Sequence, residues 1–241
     1  MKASPLVLAA ALASIGPIYT AMAADTVSLH VKPTTIVLTP GQNAAVIAIT
    51  NEGSAPVNTQ VRVLGWDQAQ DKDQLTDTDK LVASPPAATL APGQTQSIRV
   101  VRTTKTPASS EEASRVLVDE IPARDSAPQV GVQVKVRYSL PVFVQPKNAP
   151  TQGKVDINAR VQDNNLVLTA QNNGQTHSQA SDITLAYGAN ASTPVVKGLL
   201  GYVLPGKRMQ WTLPIPANAA AKGKPDHVTA SLNGQPTDIA L

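Results

Sequence analysis

One stretch of the chain, residues 130–144, constrains the fold more than any other. Its odd-numbered positions up to Ser139 hold glycine, glutamine, lysine, arginine and serine. Its even-numbered positions are all apolar, namely Val130, Val132, Val134, Val136, Tyr138, Leu140, Val142 and Val144. Because side chains on a β-strand alternate between two faces, this pattern predicts one long strand with a continuous apolar face and a polar, cationic face.

The predicted strand is longer than one small domain needs. At about 3.3 Å per residue it would extend close to 50 Å, whereas ordinary strands have about five or six residues. A single small β-sandwich cannot cover the whole apolar row. The excess indicates that the strand passes between two domains, or that another chain covers part of the row, and we expect both.

The N-terminal residues have the pattern of an export signal. Lys2 precedes a short apolar run, and the small residues Ala21 and Ala23 form an A-x-A cleavage pattern. We therefore expect a secretory signal peptide over residues 1–23, cut after Ala23. A membrane anchor is the alternative, but serine, proline and glycine interrupt a run shorter than the roughly 20 apolar residues of a span. The mature chain is expected to be exported without membrane insertion.

Composition narrows the class of protein. The chain has no cysteine, which excludes disulfides, thiol catalysis and cysteine-type metal sites. Its 20 prolines, 14 glycines and few aromatic residues favour short strands joined by turns. The formal net charge of +3 is too small to indicate a nucleic-acid partner.

Alternating segments recur along the whole chain and predict an all-β protein of two immunoglobulin-like β-sandwich domains. About seven strands precede a proline- and glycine-containing linker at residues 146–153, and a second set of strands follows it. We assign residues 24–146 to an N-terminal domain and residues 147–241 to a C-terminal domain. Pro33 predicts that the first strand breaks and changes sheets. The aspartate-rich residues 67–79 predict a solvated loop or a distorted edge.

No arrangement of residues indicates an enzyme. His30, His177 and His227 are far apart, and no metal-binding histidine spacing occurs. Asp119 and Glu120 are neighbours in a predicted strand, so they face opposite ways and cannot act together as an acid/base pair. We expect one of them to face solvent and the other to pair with an arginine such as Arg99. The sequence thus predicts no catalytic residue, metal or cofactor.

Four motifs in order resemble the periplasmic pilus-assembly chaperones of the chaperone–usher pathway, in particular their archaic branch. They are V-R-V-L-G-W-D-Q at residues 61–68, A-S-P-P-A-A-T-L-A-P-G-Q-T-Q-S-I-R-V at 83–100, S-R-V-L-V-D-E-I-P at 114–122 and V-R-Y-S-L-P-V-F-V at 136–144. N-N-G-Q at Asn172 and G-Y-V-L-P-G at Gly201 extend the likeness into the second domain. The resemblance implies two domains in an L- or boomerang-shaped arrangement and a periplasmic location.

The resemblance also implies a use for the apolar row. A pilus subunit of this class lacks its last strand, and its chaperone lends one by donor-strand complementation. The implied donor residues are Val130, Val132, Val134, Val136, Tyr138 and Leu140, whereas Val142 and Val144 are expected in the chaperone's own core. The implied partners are pilus subunits and an outer-membrane usher. The sequence leaves open whether unbound copies cap themselves as dimers.

Members of the family anchor the subunit's terminal carboxylate with basic side chains between the domains. The positions that better-known members fill with arginine and lysine correspond here to Thr35 and Pro141. In the archaic branch arginines match at Arg115 and Arg137, so the resemblance assigns the anchor to these two. Lys135 and Lys32 are weaker candidates.

Two alternatives from other classes remain at this point. A surface or adhesive protein built from two immunoglobulin-like domains would need no apolar row beyond its own core. A polysaccharide-binding or polysaccharide-cleaving sandwich would need a carboxylate pair and exposed aromatic residues. The chain has only two tryptophans, and Trp66 lies in a strand pattern.

Overall fold

The computed structural model describes residues 28–121, 135–148, 154–188, 191–220 and 222–241. The predicted signal peptide, the donor residues Val130, Val132 and Val134, and most of the predicted linker lie outside these ranges. Nearly all described elements are β-strands, with one short helix, α1 (Ala217–Ala220), which confirms the all-β prediction. Among the described helices none is long and apolar enough to cross a membrane.

The strands up to residue 148 form the first sandwich. They are β1 (Leu29–Lys32), β2 (Ile36–Leu38), β3 (Ala44–Asn51), β4 (Val57–Ala69), β5 (Lys72–Asp77), β6 (Leu81–Ser84), β7 (Ala87–Leu90), β8 (Thr95–Arg102), β9 (Glu112–Ile121) and β10 (Arg137–Val144). Sheet A has the order β1-β3-β8-β6. Sheet B has the order β2-β10-β9-β4-β5, with β7 also pairing with β4.

The first strand changes sheets where the sequence predicts it. Before Pro33, β1 pairs antiparallel with β3 in sheet A. After Pro33, β2 pairs parallel with the last residues of β10 in sheet B. Proline has no N–H to donate to a ladder, so the chain can leave one sheet here without breaking a hydrogen bond.

The first core lies between sheets A and B. Alternate residues of each strand supply it, such as Ile47 and Ile98 from sheet A and Val116 and Val142 from sheet B, all fully buried. Val142 and Val144 belong to this core, as expected from the sequence. The opposite face of sheet B presents the odd-numbered side chains of β9 and β10.

The aspartate-rich stretch is more regular than predicted. It is a β-hairpin in which β5 forms the exposed edge of sheet B, paired with the end of β4. Gln70 and Asp71 make the turn with φ of 53° and 58°. Two successive left-handed residues match the twist of a two-residue hairpin. The segment is therefore an edge, one of the two predicted possibilities, but it is a regular strand and not a distorted one.

The second sandwich follows the linker. Its strands are β11 (Val155–Gln162), β12 (Asn165–Asn172), β13 (Ser178–Tyr187), β14 (Ala191–Pro194), β15 (Leu199–Val203), β16 (Arg208–Pro214), β17 (His227–Leu232) and β18 (Gln235–Ala240). Sheet C has the order β11-β12-β16, and sheet D has the order β14-β13-β17-β18 with β15 on β13. A separate core, including Leu168, Ile183 and Val228, lies between them.

Both sandwiches end a core strand with the same buried asparagine. Asn51 closes β3 and Asn172 closes β12, and both are fully buried. Each donates its side-chain amide to two backbone carbonyls and accepts the N–H of the glycine two residues later, Gly53 or Gly174. A buried amide must find partners, so these turns tie three chain segments together in each sandwich.

Candidate functional site

Strand β10 has one paired edge and one open edge. It pairs with β9 along its whole length, but β2 covers its other side only at residues 142–144. Within the described ranges, residues 137–141 have no strand on the side away from β9. We call this side of residues 137–141 the open edge. The carbonyl of Ser139 accepts a long hydrogen bond of 3.5 Å from Arg115, and an open edge of this kind can pair with an added strand.

The apolar row beside the open edge passes from exposed to buried. Val136 is 38% exposed. Tyr138 is half-buried against the first core, and its hydroxyl donates to the carbonyl of Leu29. Leu140 is buried in the first core. Of the predicted donor residues that the structure describes, Val136 therefore has the most side-chain surface to offer to a partner.

Arg115, on the outer face of sheet B, is largely covered. Its side chain is 13% exposed, and its guanidinium lies over the ring of Trp66 at 3.6 Å and 5.6 Å from that of Tyr202. One of its nitrogens lies 3.6 Å from a carboxylate oxygen of Asp73. Burial lowers the pKa of Arg115, while the charge of Asp73 opposes that shift. An arginine in this position stays charged at neutral pH.

Arg137 is in a different setting, at the start of β10. Its side chain is 61% exposed, and its Nε donates to Asp119 on β9. Asp119 also accepts a hydrogen bond from Arg62 at 2.8 Å. One carboxylate thus serves two arginines, so Arg137 retains donors that face solvent. Of the neighbours Asp119 and Glu120, Asp119 thus pairs with arginines as expected, but Arg99, the example that the sequence offered, lies on β8 in the other sheet.

The two predicted anchor arginines lie on the same face of sheet B but at separate positions along it. Arg137 lies opposite Asp119, and Arg115 lies opposite Pro141 in the β9–β10 ladder. Four residues of strand therefore separate them along the sheet, which is about 14 Å. The weaker candidates, Lys32 and Lys135, are exposed, as is Thr35, whereas Pro141 is buried.

Asp119, on the outer face of sheet B, makes the stability of the fold depend on pH in the acid range. Burial alone would raise the pKa of Asp119, but the hydrogen bonds and charges of Arg137 and Arg62 outweigh it and hold that pKa below its ordinary value. A carboxyl whose pKa is lowered by folding stabilises the fold above the unfolded-state pKa of about 3.9. This contribution is lost as pH falls through the lower, folded-state pKa.

We therefore expect the stability difference between the wild type and Asp119→Asn to depend on pH. At neutral pH the variant should unfold at a lower urea concentration, because the neutral side chain of asparagine cannot form charge-assisted hydrogen bonds with the two arginines. As the pH falls through the lowered folded-state pKa of Asp119, the two proteins should converge, since Asp119 becomes protonated. Urea unfolding measured at several pH values checks this. A gap that stays constant with pH would contradict the role given to the charge.

The two sandwiches meet at an aromatic cluster that the sequence reading missed. We call Trp66, Phe143, Tyr202 and Leu204 the joint; all four are buried. Phe143 stacks on the ring of His177 at 3.6 Å. One feature of the sequence points to this contact. The odd-numbered positions of residues 130–144 are polar or glycine up to Ser139 but hold Pro141 and Phe143 after it, which indicates that this face of the strand is covered at these two residues.

Polar contacts surround the joint. Gln68 donates to the carbonyl of Tyr202 at 2.9 Å and accepts the N–H of Leu204 at 2.8 Å. The buried carboxylate of Glu111 accepts the N–H of His177 at 2.7 Å and lies 2.7 Å from its ring Nδ1. Each sandwich thus provides hydrogen-bond partners for buried polar groups of the other. Because these bonds require specific distances and directions, they restrict the relative position of the two sandwiches more than apolar packing alone would.

The described residues offer no site for metal chemistry. Among them no group of three histidine, cysteine or acidic side chains lies close enough to hold a metal ion. His177 is engaged in the joint. Trp66 is buried there too, so it cannot form part of an exposed aromatic platform for sugars.

Comparison with known proteins agrees with these features. The model of the family described as pili and flagellar-assembly chaperone, PapD N-terminal domain, matches residues 28–150. This confirms the resemblance that the motifs indicate. Comparison with curated protein sequences gives no significant match.

Solved structures extend the likeness to the second sandwich. One chain of the CsuC–CsuE chaperone–tip adhesion subunit pre-assembly complex, from archaic Csu pili of Acinetobacter baumannii, is 20% identical with a TM-score of 0.65. That match covers 88% of this chain and 98% of the other. One chain of the Salmonella enterica SafA pilin–SafB chaperone complex is 17% identical, with a TM-score of 0.61 and coverages of 91% and 99%. The E. coli chaperone DraB is 22% identical, with a TM-score of 0.55 and coverages of 89% and 98%.

The structural likeness confirms the fold of two immunoglobulin-like sandwiches. The region matched by the family model contains the open edge of β10 and both arginines of the predicted anchor. It also spans more than half of the chain. The chain therefore belongs to the family of pili and flagellar-assembly chaperones.

Proposed function

We propose that the chain is a periplasmic chaperone that binds, folds and caps pilus subunits by lending them the open edge of β10. The observation that carries the proposal is the combination of that edge with the exposed side chain of Val136. An unpaired edge beside an apolar row is an aggregation hazard unless a partner covers it. Two similar structures, a complex of a chaperone with a tip adhesion subunit and a complex of a chaperone with a pilin, support a subunit as that partner.

The physical basis is strand addition. A subunit lacking one strand exposes backbone N–H and C=O groups and an apolar groove. Added alongside β10, it gains ladder hydrogen bonds along the open edge, while alternate side chains enter its groove. Val136, just before β10, and Tyr138 on it would contribute among the described residues, and Val130, Val132 and Val134 would continue the same row. Leu140 would act through the packing of the strand in the first core.

The rest of the proposal follows from the same activity. The predicted signal peptide, residues 1–23, would take the chain to the periplasm, where the domains of residues 24–146 and 147–241 fold. Bound subunits would pass to an outer-membrane usher. Unbound copies have the same open edge, so a self-capping dimer is one way to cover it. The family is not enzymatic, which agrees with the prediction that the chain is not an enzyme.

Co-expression tests the proposal. The chain is produced in the periplasm with a candidate pilus subunit, and an equimolar complex is isolated through a tag on the subunit. We expect the subunit to be soluble and resistant to proteolysis only when the chain is present. If subunits accumulate equally without it and no complex forms, the proposed function is wrong.

The arginines give a more specific prediction. One charge-assisted hydrogen bond to a carboxylate contributes about 1.5–3 kcal/mol, so Arg137→Ala combined with Arg115→Ala should weaken subunit binding by at least about tenfold. Titration calorimetry with a purified subunit measures this. Arg160→Ala, at an exposed position on β11, is the matched control. Unaltered binding by the double variant would move the anchor to Lys135 and Lys32.

A further inference from the structure

Arg115 already has a carboxylate of its own chain beside it. Asp73 comes from β5, the exposed edge strand of sheet B, and its Oδ2 lies 3.6 Å from Nη2 of Arg115. Its other oxygen, Oδ1, accepts a hydrogen bond from Gln68 at 2.9 Å. Asp73 therefore sits between the arginine and a glutamine that is bound to the second sandwich.

The charge balance differs between the two anchor arginines. At Arg137, one carboxylate is shared by two guanidinium groups, so the cluster carries excess positive charge and is open to solvent. At Arg115, one arginine faces one aspartate and the arginine is mostly covered. An incoming carboxylate can reach Arg137 directly, whereas at Arg115 it meets a position that Asp73 already holds.

The covered position of Arg115 explains why it needs an anion. Its guanidinium carbon lies over the ring of Trp66, which removes water from that side. Burial disfavours the charged arginine and Asp73 favours it. A nearby carboxylate is what offsets the loss of hydration for a covered cation.

Asp73 is suited to leave. Every residue of β5 is exposed, and the strand pairs with β4 alone among the described strands. Its contact with Arg115 is long for an ion pair, and the side chain of Asp73 is 45% exposed, so water can hydrate the carboxylate when it moves away. Gln68 donates from Nε2 to both Asp73 and Tyr202 and accepts from Leu204 at Oε1, so the departure of Asp73 removes none of its contacts with the second sandwich.

We propose that Asp73 is an internal stand-in for the ligand carboxylate, which occupies Arg115 in the unbound chaperone and is displaced when a partner's carboxylate binds there. This inference rests on the proposed function, because it takes Arg115 to be an anchor. It makes Asp73 a residue that tunes affinity: it offsets the lost hydration of the covered guanidinium and holds it over Trp66, and it competes with the ligand.

The test uses Asp73→Asn, which removes the charge but keeps an oxygen for Gln68. The first probe is acetate, followed through the Nε–Hε signals of the arginines in NMR spectra of the full chain. In Asp73→Asn the Arg115 signal should respond at about two- to fivefold lower acetate concentration than in the wild type. The Arg137 signal should respond alike in both proteins.

Two variants serve as controls. Asp77→Asn removes the same charge from the same strand at a position opposite Leu64. Asp71→Asn removes the ion pair with Arg208 across the sandwiches and leaves the Arg115 contact in place. Neither should change the acetate response of Arg115. If either control changes it as much as Asp73→Asn, general electrostatics is the cause and the stand-in role is wrong.

The outcomes separate this inference from the proposed function. An Arg115 signal that responds to acetate equally in wild type and Asp73→Asn, or in neither, overturns the stand-in role while subunit binding can still be observed. A chain that forms no complex with any subunit overturns the proposed function even if acetate behaves as expected. With a subunit that binds, Asp73→Asn should bind it about two- to fivefold more tightly than the wild type, and Asp77→Asn should bind as the wild type does.

Discussion

Replacing Val136 by aspartate should abolish subunit capture while leaving the chaperone folded. Val136 is 38% exposed in the unbound chain, so a carboxylate there remains hydrated and the fold loses little. In the complex the same side chain would enter an apolar groove, where an unpaired charge costs several kcal/mol. We expect subunit affinity to fall by more than about a hundredfold. Co-purification and calorimetry with a purified subunit measure the loss.

The control is Val161→Asp, on the second sandwich. Val161 is 42% exposed in a β-strand, so the two substitutions make the same chemical change at equally accessible positions. Val161→Asp should bind subunits as the wild type does. If Val136→Asp also captured subunits normally, with an unchanged melting temperature, the part of the row at Val136 would not enter the subunit.

The second large effect is expected at the joint, from Phe143→Ala. Phe143 is fully buried, stacks on His177 and lies within 6 Å of the ring centres of Trp66 and Tyr202. Removing a buried phenylalanine side chain costs about 3–5 kcal/mol when the cavity cannot collapse. Since rings from both sandwiches line this site, the loss should appear in the unfolding free energy and in the rigidity of the contact between them.

Urea unfolding measures the first effect, and the protease sensitivity of the linker measures the second. Phe143→Leu keeps most of the apolar volume and should lose less than about 1.5 kcal/mol. If both variants lost the same small amount of unfolding free energy, the contact between the sandwiches would not depend on this ring.

Much of the fold could be predicted because alternation is a local property. The parity of residues 130–144 correctly placed Val142 and Val144 in the core, and Pro33 marked the change of sheets. The hairpin of β4 and β5 was missed because its strands are held by ladder hydrogen bonds and polar contacts, with little apolar alternation to read. Likewise β18, with Ile239 as its buried residue, carries too weak a pattern to stand out.

The site was predictable only in part, because ion pairs join residues that are distant in sequence. The resemblance singled out Arg115 and Arg137, but nothing local indicates that Asp73 faces one and Asp119 the other. The sequence offered Arg99 as an example of a partner for Asp119 or Glu120, since the order of strands in the two sheets was unknown. Likewise the joint depends on Phe143 meeting Tyr202, a contact that arises only when two separate sandwiches pack together.

The short strand β2 has a consequence for how long a guest strand can be. By crossing from sheet A to sheet B it occupies the side of β10 at residues 142–144 and no further. A strand that adds along β10 can extend only as far as β2, which leaves about 17 Å of described edge for it. The position of β2 therefore limits how a guest strand can align with β10, because β2 blocks every register in which the guest would extend past it.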